Sequence, residues 1–239
     1  MPPVWRRNRH WLTPVLFLLP GLILFGSVIL AASIETVWIS LHDWDGIGAK
    51  TWVGLANYVE LADDPQFYVS LKNNVIWLLI FMLAPPIGLA LALIVNQQIR
   101  GMRILKSLFF VPLVLATVTV GVVFGWVYDP NFGLLQLLFG AFGGTAPALL
   151  SDETFVTFAV AAAGLWPQIA FCMILFLAGL NSLNDDLIAA GRVDGARGWR
   201  MLRHVVLPQL SQVGFIAIAV TVIGALRSFD MIAVMTSGG

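Results

Sequence analysis

The sequence has few of the residues that build reactive sites in soluble proteins. It contains one cysteine, Cys172, three separated histidines, and only 11% charged residues in a chain of 239. One cysteine excludes an intrachain disulfide and a cysteine-based metal site. Soluble domains carry about 25% charged residues, whereas 59% of this chain is hydrophobic. The composition therefore predicts a membrane protein, and the net charge of zero gives no sign of a nucleic-acid partner.

Motifs of nucleotide-binding and hydrolytic enzymes are also missing. The chain has no P-loop, no H-E-x-x-H zinc motif and no G-x-S-x-G nucleophile motif. The paired carboxylates of Asp43 with Asp45 and of Asp63 with Asp64 lie in a polar connecting segment. We therefore predict no catalytic residue, no metal site and no cofactor bound by this chain.

Five charge-free runs are long enough to cross the hydrocarbon core, which takes about 20 apolar residues in a helix. They predict spans at about 12–34, 75–97, 107–128, 155–180 and 208–227. A sixth uncharged run, 130–151, holds four glycines and two prolines, which are too many helix breakers for a stable span. The first run is longer than the hydrophobic region of a signal peptide, about 7–15 residues. We predict a retained signal-anchor helix, with a cleaved signal peptide as the alternative.

The distribution of basic residues orients these spans. Cytoplasmic loops of membrane proteins carry an excess of lysine and arginine. With five spans and a cytoplasmic N-terminal tail (1–10), ten of the thirteen basic residues fall on the cytoplasmic side. These are Arg6, Arg7, Arg9, Arg100, Arg103, Lys106, Arg192, Arg197, Arg200 and Arg203. The chain then ends outside in a glycine-rich stretch, from which we expect that a sixth span is missing. The acidic and aromatic segment 35–72 is expected to form a small folded cap on the outer side.

The interiors of the predicted spans hold neutral polar groups and no charges. Intramembrane charges normally mark ion or proton pathways, so an ion-coupled transporter with buried carboxylates is disfavoured. Small and neutral polar residues recur on single helix faces, which suits a path for an uncharged polar solute. The same pattern suits packing between helices, and both interpretations stay open. The candidate pathway residues are Gly164, Trp166, Gln168, Thr221, Ala225 and Ser228.

The most informative segment is 184–208, which we call the arginine loop. It holds four arginines between two apolar runs. Asn184 or Asp185 is expected to cap a short helix, and Asp194 with Gly195 predicts a turn. A second helical stretch, 199–206, is expected to be interrupted at Pro208. Anchoring to anionic lipid would explain the arginines. It would not explain the small residues before the turn, which permit close approach of a partner.

The arginine loop resembles a motif of the permease subunits of binding-protein-dependent ABC importers. That motif is Glu-Ala-Ala, three residues, Gly, nine residues, then Ile-x-Leu-Pro. Residues 194–196 (Asp-Gly-Ala) and 205–208 (Val-Val-Leu-Pro) match it in type and spacing, whereas Ala189 stands where the family has glutamate. The resemblance implies a coupling helix that docks on an ATPase within the loop 181–207. The residues that carry this implied role are Leu187, Ala189, Ala190, Gly191, Asp194, Gly195, Ala196, Leu207 and Pro208.

Further stretches narrow the resemblance to carbohydrate permeases of the maltose and glycerol-3-phosphate type. They are 53–58 (Val-Gly-Leu-Ala-Asn-Tyr), 71–74, 107–112, 128–134, and 229–230 together with 236–239. The resemblance implies an all-α bundle of six spans, of which this chain is expected to hold five in a single transmembrane domain, 11–239. It implies that a second permease, two ATPase subunits that bind ATP and Mg²⁺, and an extracytoplasmic solute-binding protein are partners. The expected location is a bacterial or archaeal cytoplasmic membrane, which the chain crosses several times.

Two alternatives remain at this stage. The solute could be of another kind, such as a glycerophosphodiester or a polyamine, because the partner permease lines half of the path. A chain without its sixth helix could also be a membrane fragment that transports nothing.

Overall fold

The structure is a computed structural model that describes residues 5–97 and 101–237, with side chains from residue 14 onward except that of Arg103. The predicted tail 1–10 lies partly outside the described residues, and Arg100 and the two terminal glycines lie outside them. The chain folds as two compact units, Met1–Val69 and Ser70–Gly239. Apart from one two-stranded hairpin, the regular elements of the described residues are helices.

The first unit begins with a long apolar helix. α1 (Trp5–Phe25) continues through a π-helical turn (Gly26–Leu30) into α2 (Ala31–Ile39). None of the described side chains along this helix is buried. A helix that is apolar on every side and not covered by protein is expected to face lipid. The helix covers the predicted interval 12–34 and runs five residues beyond it.

A small folded cap follows this helix. β1 (His42–Asp43) pairs with β2 (Thr51–Trp52) as an antiparallel hairpin, and α3 (Ala56–Asp63) comes next. The hairpin and helix confirm the expectation of a folded segment here. Gly54, between β2 and α3, has a φ of +61°, a conformation that costs a glycine little and other residues more.

The amide of Asn57 holds the cap together. Its Nδ2 donates to the carbonyl oxygens of Ser40 and His42, both at 3.0 Å. One side chain thereby satisfies two carbonyls in the turn that leaves α2. The Tyr58 and Ser40 hydroxyls are a further 2.7 Å pair. The predicted motif at 53–58 therefore has a structural role, because it closes the cap on the end of α2.

The second unit is a bundle of helices. Its longest member, α9, has 26 residues and contributes more buried residues than any other described helix. The described helices from the end of the cap onward are α4 (Pro65–Phe81), α5 (Ala84–Val95), α6 (Met102–Val114), α7 (Thr117–Val127), α8 (Leu134–Ala141), α9 (Val156–Asn181), α10 (Asp185–Val193), α11 (Trp199–Met201), α12 (Leu207–Gln209), α13 (Ser211–Leu226) and α14 (Phe229–Thr236).

Close contact between α5 and α9 forms the centre of this unit. Gly88 of α5 lies directly over the α9 backbone, so that an added Cβ would be 2.6 Å from Cys172 Cβ and 2.8 Å from Met173 N. Cys172 and Met173 are fully buried. Helices pack this closely in membranes where one of them lacks a side chain. The crossing fixes where the middle of α9 lies relative to α5.

Two of the predicted spans are bent. The interval 107–128 is covered by α6 and α7, which meet at 103°. Leu115 and Ala116 between them are extended, with ψ angles of 136° and 143°. The predicted span 107–128 did not indicate this break. Pro112, one turn earlier, removes a helical N–H and weakens the end of α6.

The second bend lies after the arginine loop, and here the expected interruption at Pro208 is wrong. The helical stretch Trp199–Gln209 passes through Pro208, and the 74° bend to α13 comes at Leu210. A π-helical turn, Leu202–Val206, precedes the proline. Such a turn shifts the hydrogen-bond pairing between backbone N–H and carbonyl groups. The helix therefore accommodates the missing N–H of Pro208.

The described residues include three helices long and apolar enough to cross a membrane, or up to five if each bent pair is one span. The three are Pro14–Ile39, Pro65–Val95 and Val156–Asn181. The interval 130–151 contains only the eight-residue α8. This helix is too short to cross a bilayer.

Candidate functional site

A cavity of about 470 Å³ opens inside the second unit. Helices α4, α9, α13 and α14 line it, together with the bend between α6 and α7. Irregular backbone at membrane depth is tolerated where it is shielded by protein or lines a cavity. The extended residues of the bend meet that condition. The lining residues used below are Trp77, Phe81, Gly164, Gln168, Phe171, Gly224, Arg227, Ser228 and Asp230.

The wall between α9 and α13 carries the neutral polar groups. Gln168 Nε2 donates to Thr221 Oγ1 at 2.9 Å, and the Thr221 hydroxyl donates to the Ala217 carbonyl at 2.7 Å. Ser228, just after α13, donates its hydroxyl to the Ala225 carbonyl at 2.7 Å. The half-buried Phe171 ring supplies apolar surface in the same cavity, and the buried rings of Trp77 and Phe81 also border it. This arrangement can hold a solute with both apolar faces and hydroxyl groups.

The six pathway candidates occupy different places in this unit. Gly164, Gln168 and Ser228 line the cavity. Gly164 has no side chain, and a Cβ there would come within 3.1 Å of the Phe81 ring. Thr221 and Ala225 are fully buried behind the wall. The Trp166 ring packs edge-on against Phe124 of α7 instead, with ring centroids 5.7 Å apart.

Sequence inspection did not single out several lining residues. Trp77, Phe81 and Phe171 look like ordinary core aromatics in a charge-free run. Neither Arg227 nor Asp230 was predicted to be part of a site. The structure places both charged residues along the cavity. The only signal in the sequence is that both residues come just after a predicted span that contains several small residues.

The arginine loop has the predicted local structure at its beginning. Asn184 caps α10, because its Oδ1 accepts from the Asp186 N–H at 2.9 Å. Gly195 has a φ of +78° and forms the predicted turn. Gly198 also has a positive φ, +51°, immediately before α11. The cap and the two left-handed glycines make the loop a fixed corner of two helical segments.

Two contacts hold this corner together. Gly191 is buried against the π-helical turn, where an added Cβ would be 2.9 Å from Val205 Cγ2. Gln209 joins the two ends of the loop: its Oε1 accepts from Asn184 N and its Nε2 donates to the Val205 carbonyl, both at 3.0 Å. Gln209 was missed by the sequence analysis, since one glutamine beside a proline has no distinctive pattern.

The exposed surface of the arginine loop carries apolar side chains, four arginines and the carboxylates of Asp185, Asp186 and Asp194. Leu187, Val193 and Trp199 are exposed, as are Ala189 and Ala190 of α10. Asp194 and Gly195 are exposed at the turn, Ala196 is half-buried, and Leu207 and Pro208 lie in α12. Among the described side chains, none of the four arginines pairs with a carboxylate. Exposed aromatic side chains such as Trp199 and arginines are both enriched at protein interfaces.

The model of one transport family matches residues 77–239, which include both the cavity and the arginine loop. Its description is the inner membrane component of binding-protein-dependent transport systems. The chain belongs to this family. The resemblance predicted from the arginine loop is thereby confirmed, and so is the prediction of a helical membrane protein. Members of the family are transport permeases rather than enzymes.

The permease is similar to proteins from archaea. It is 33% identical to a probable ABC transporter permease protein of Pyrococcus horikoshii over 229 residues, which cover 94% of this chain and 78% of that protein. It is 31% identical to the trehalose/maltose transport system permease protein of Thermococcus litoralis over 226 residues, 94% of this chain and 77% of that protein.

A solved structure has the same fold. It is the crystal structure of a bacterial alginate ABC transporter in complex with its alginate pentasaccharide-bound periplasmic protein. The match has a TM-score of 0.79 at 20% identity, and covers 97% of this chain and 79% of that chain. At this identity the likeness establishes the fold of the permease bundle.

Proposed function

We propose that the permease forms one half of the pathway of an ATP-driven importer for a sugar, with a second permease supplying the other half. The observation that carries this proposal is the cavity between α9 and α13. It combines aromatic surface with the neutral polar groups of Gln168 and Ser228. Ligand sites of this kind are mostly apolar, with a few placed polar groups that fix orientation.

An α-linked glucose disaccharide is the solute class that we propose. The relative from Thermococcus litoralis belongs to a trehalose/maltose transport system, and both sugars are of this class. A glucose ring has apolar C–H faces, which can lie on the half-buried ring of Phe171, and a rim of hydroxyl groups, which can reach Gln168 and Ser228. The cavity of about 470 Å³ is within the range of about 300–1,000 Å³ for small-molecule sites.

The arginine loop is proposed as the coupling element, on the cytoplasmic side. It directly joins the two helices that form the cavity wall. Three residues separate the end of α9 at Asn181 from the start of α10 at Asp185, and α13 begins just after Leu210. Gly179 of α9 packs at the same place, where an added Cβ would be 2.8 Å from Leu210. A rigid displacement of the loop therefore moves both wall helices together.

The remaining partners follow from this coupling. ATP and Mg²⁺ would bind to two ABC ATPase subunits, and this chain would hold no cofactor. An extracytoplasmic binding protein would deliver the sugar, as the periplasmic protein of the alginate transporter carries its pentasaccharide. The membrane would be a bacterial or archaeal cytoplasmic membrane, with the N-terminus of the chain inside.

Removal of one exposed ring tests the coupling role. Trp199 of the arginine loop is 67% exposed, and Trp126 of α7 is 56% exposed. The complete transporter, reconstituted in proteoliposomes with its binding protein, is assayed for ATP-driven uptake of labelled maltose. We expect Trp199→Ala to reduce uptake at least tenfold, because truncating a tryptophan that is a hot spot of an interface costs about 2 kcal/mol or more. Trp126→Ala serves as the control and should retain uptake.

Two results would contradict the proposal. No ATP-dependent maltose or trehalose uptake by the wild-type transporter would refute the sugar assignment. Equal uptake by the Trp199→Ala and wild-type transporters would refute the docking role of the arginine loop.

A further inference from the structure

The buried Thr221 hydroxyl determines which end of the Gln168 amide faces the cavity. A hydroxyl has one proton, and Thr221 donates it to the Ala217 carbonyl at 2.7 Å. The carbonyl can only accept, so the direction of this bond is fixed. Thr221 Oγ1 is therefore left with lone pairs alone for its other neighbours, Gln168 at 2.9 Å and Cys172 at 3.6 Å.

Only one orientation of the Gln168 amide satisfies this network. Its Nε2 must face Thr221, because Oε1 in that place would bring two acceptors to 2.9 Å with no proton between them. Nε2 also approaches Cys172 Sγ at 3.9 Å. Both donors of the amide are thus directed into the protein. The side-chain carbonyl is left on the other side, beside Gly224, which lines the cavity.

The second neutral polar group of the same wall is arranged in the same way. Ser228 donates its only hydroxyl proton to the Ala225 carbonyl at 2.7 Å. It therefore also presents lone pairs and no donor. Thr221 is fully buried and does not line the cavity, so it acts on a solute only through Gln168.

We propose that Thr221 is a positioning residue that holds Gln168 with its carbonyl toward the cavity, so that the α9–α13 wall accepts hydrogen bonds from solute hydroxyl groups. This inference rests on the proposed function, in which the cavity is the solute path. It adds a specific requirement to the proposed sugar: the group of the solute that contacts this wall must be a hydrogen-bond donor. A fluorine or a methoxy group at the same position leaves Gln168 Oε1 without a proton.

Transport selectivity is the first measurement. The complete transporter is reconstituted with its binding protein, and kcat/KM is measured for maltose and for maltoses in which one hydroxyl at a time is replaced by fluorine. In Thr221→Val the amide loses its partner and can turn its NH₂ toward the cavity. We expect the ratio of kcat/KM for maltose to kcat/KM for the most discriminated fluoro-analogue to fall roughly three- to tenfold. This is the effect of about one hydrogen bond.

Two further variants separate positioning from packing. Thr221→Ser keeps the hydroxyl and should keep the wild-type ratio. In the Gln168→Leu background there is no amide to orient, so Thr221→Val should leave the ratio unchanged there. An unchanged ratio in Thr221→Val alone, or an equal fall in both backgrounds, would overturn the proposal.

The second measurement does not depend on the solute. The protein is labelled with ¹⁵N-glutamine, and the NMR signal of the Gln168 side-chain amide is identified because it is absent from Gln168→Leu. The exchange of the amide protons with D₂O is then followed. We expect protected protons in wild type and Thr221→Ser, and at least tenfold faster exchange in Thr221→Val. Wild-type exchange as fast as that of the exposed Gln66 would overturn the orientation even if no maltose is transported. Protected protons without maltose uptake would refute only the proposed sugar.

Discussion

The close crossing of α5 and α9 makes Gly88 a position where one added methyl group is expected to have a large effect. In Gly88→Ala the new Cβ would be 2.6 Å from Cys172 Cβ and 2.8 Å from the backbone nitrogen of Met173. Two of the atoms that it meets, Met173 N and Cys172 C, belong to the α9 backbone, so no side-chain rotation removes the overlap. The two helices must separate by several tenths of an ångström along a fully buried contact.

The cost can be estimated from overpacked cores. Extra methyl groups in a well-packed interior typically destabilise a protein by about 1–3 kcal/mol, and alanine is favoured over glycine within a helix by about 1 kcal/mol. Because backbone atoms are involved, we expect the upper part of this range, about 2 kcal/mol net. For a chain of this size that corresponds to a decrease in Tm of roughly 4–8 °C.

Cys172 itself reports the unfolding. It is the only cysteine of the chain and is fully buried, so a thiol-reactive fluorophore labels the purified protein in detergent only when α9 becomes exposed. The matched control is Gly125→Ala in α7, where an added Cβ has no atom within 4 Å. We expect Gly125→Ala to melt at or above the wild-type temperature. A Gly88→Ala protein that melts within 1 °C of wild type would refute the described crossing.

Three other substitutions test separate parts of the structure. Asn57→Ala removes two hydrogen bonds of the cap, about 1–3 kcal/mol, and should speed limited proteolysis between residues 40 and 56; unchanged cleavage would contradict the closing role of Asn57. Gly191→Ala places a Cβ 2.9 Å from Val205 Cγ2 and should reduce sugar-stimulated ATP hydrolysis of the transporter, with partial recovery in the double variant with Val205→Ala; no recovery would argue against this contact. Ala189→Glu restores the acidic residue of the family motif at an exposed position. It should raise the salt concentration at which the ATPase dissociates during co-purification. Dissociation at a lower salt concentration than in wild type would count against docking through α10.

The arginine loop could be predicted because its signals are local. A cap forms within two residues of Asn184, and a left-handed turn requires only the glycine at 195. The side of the membrane was likewise inferred from charge counts in short segments, and it stays a prediction. The family motif added the docking role, which no local rule supplies.

The cavity wall and the bends could not be predicted in the same way. Gln168 and Thr221 meet across 53 positions of sequence, and only the packing of α9 against α13 brings them together. The break at Leu115 and Ala116 has neither glycine nor proline at its centre, and Pro112, three residues earlier, does not mark its exact position. Pro208, which does carry a breaker signal, lies within a helix because the π-helical turn before it absorbs the missing N–H. Tertiary packing brings Gln168 and Thr221 together, whereas the continuity of the helix at Pro208 depends on the π-helical turn before it.

The central claim is that the cavity beside Ser228 is the solute path, and modification of that position tests it most directly. The Ser228→Cys variant keeps the native Cys172, which is fully buried and so is not reached by the reagent. It is assembled with cysteine-free partner subunits and treated with a water-soluble methanethiosulfonate reagent. The exposed Ser151→Cys is the control. We predict that maltose slows modification of Ser228→Cys and that the modified transporter loses ATP-driven maltose uptake, whereas modified Ser151→Cys keeps it. Undiminished uptake after complete modification at position 228 would contradict the account.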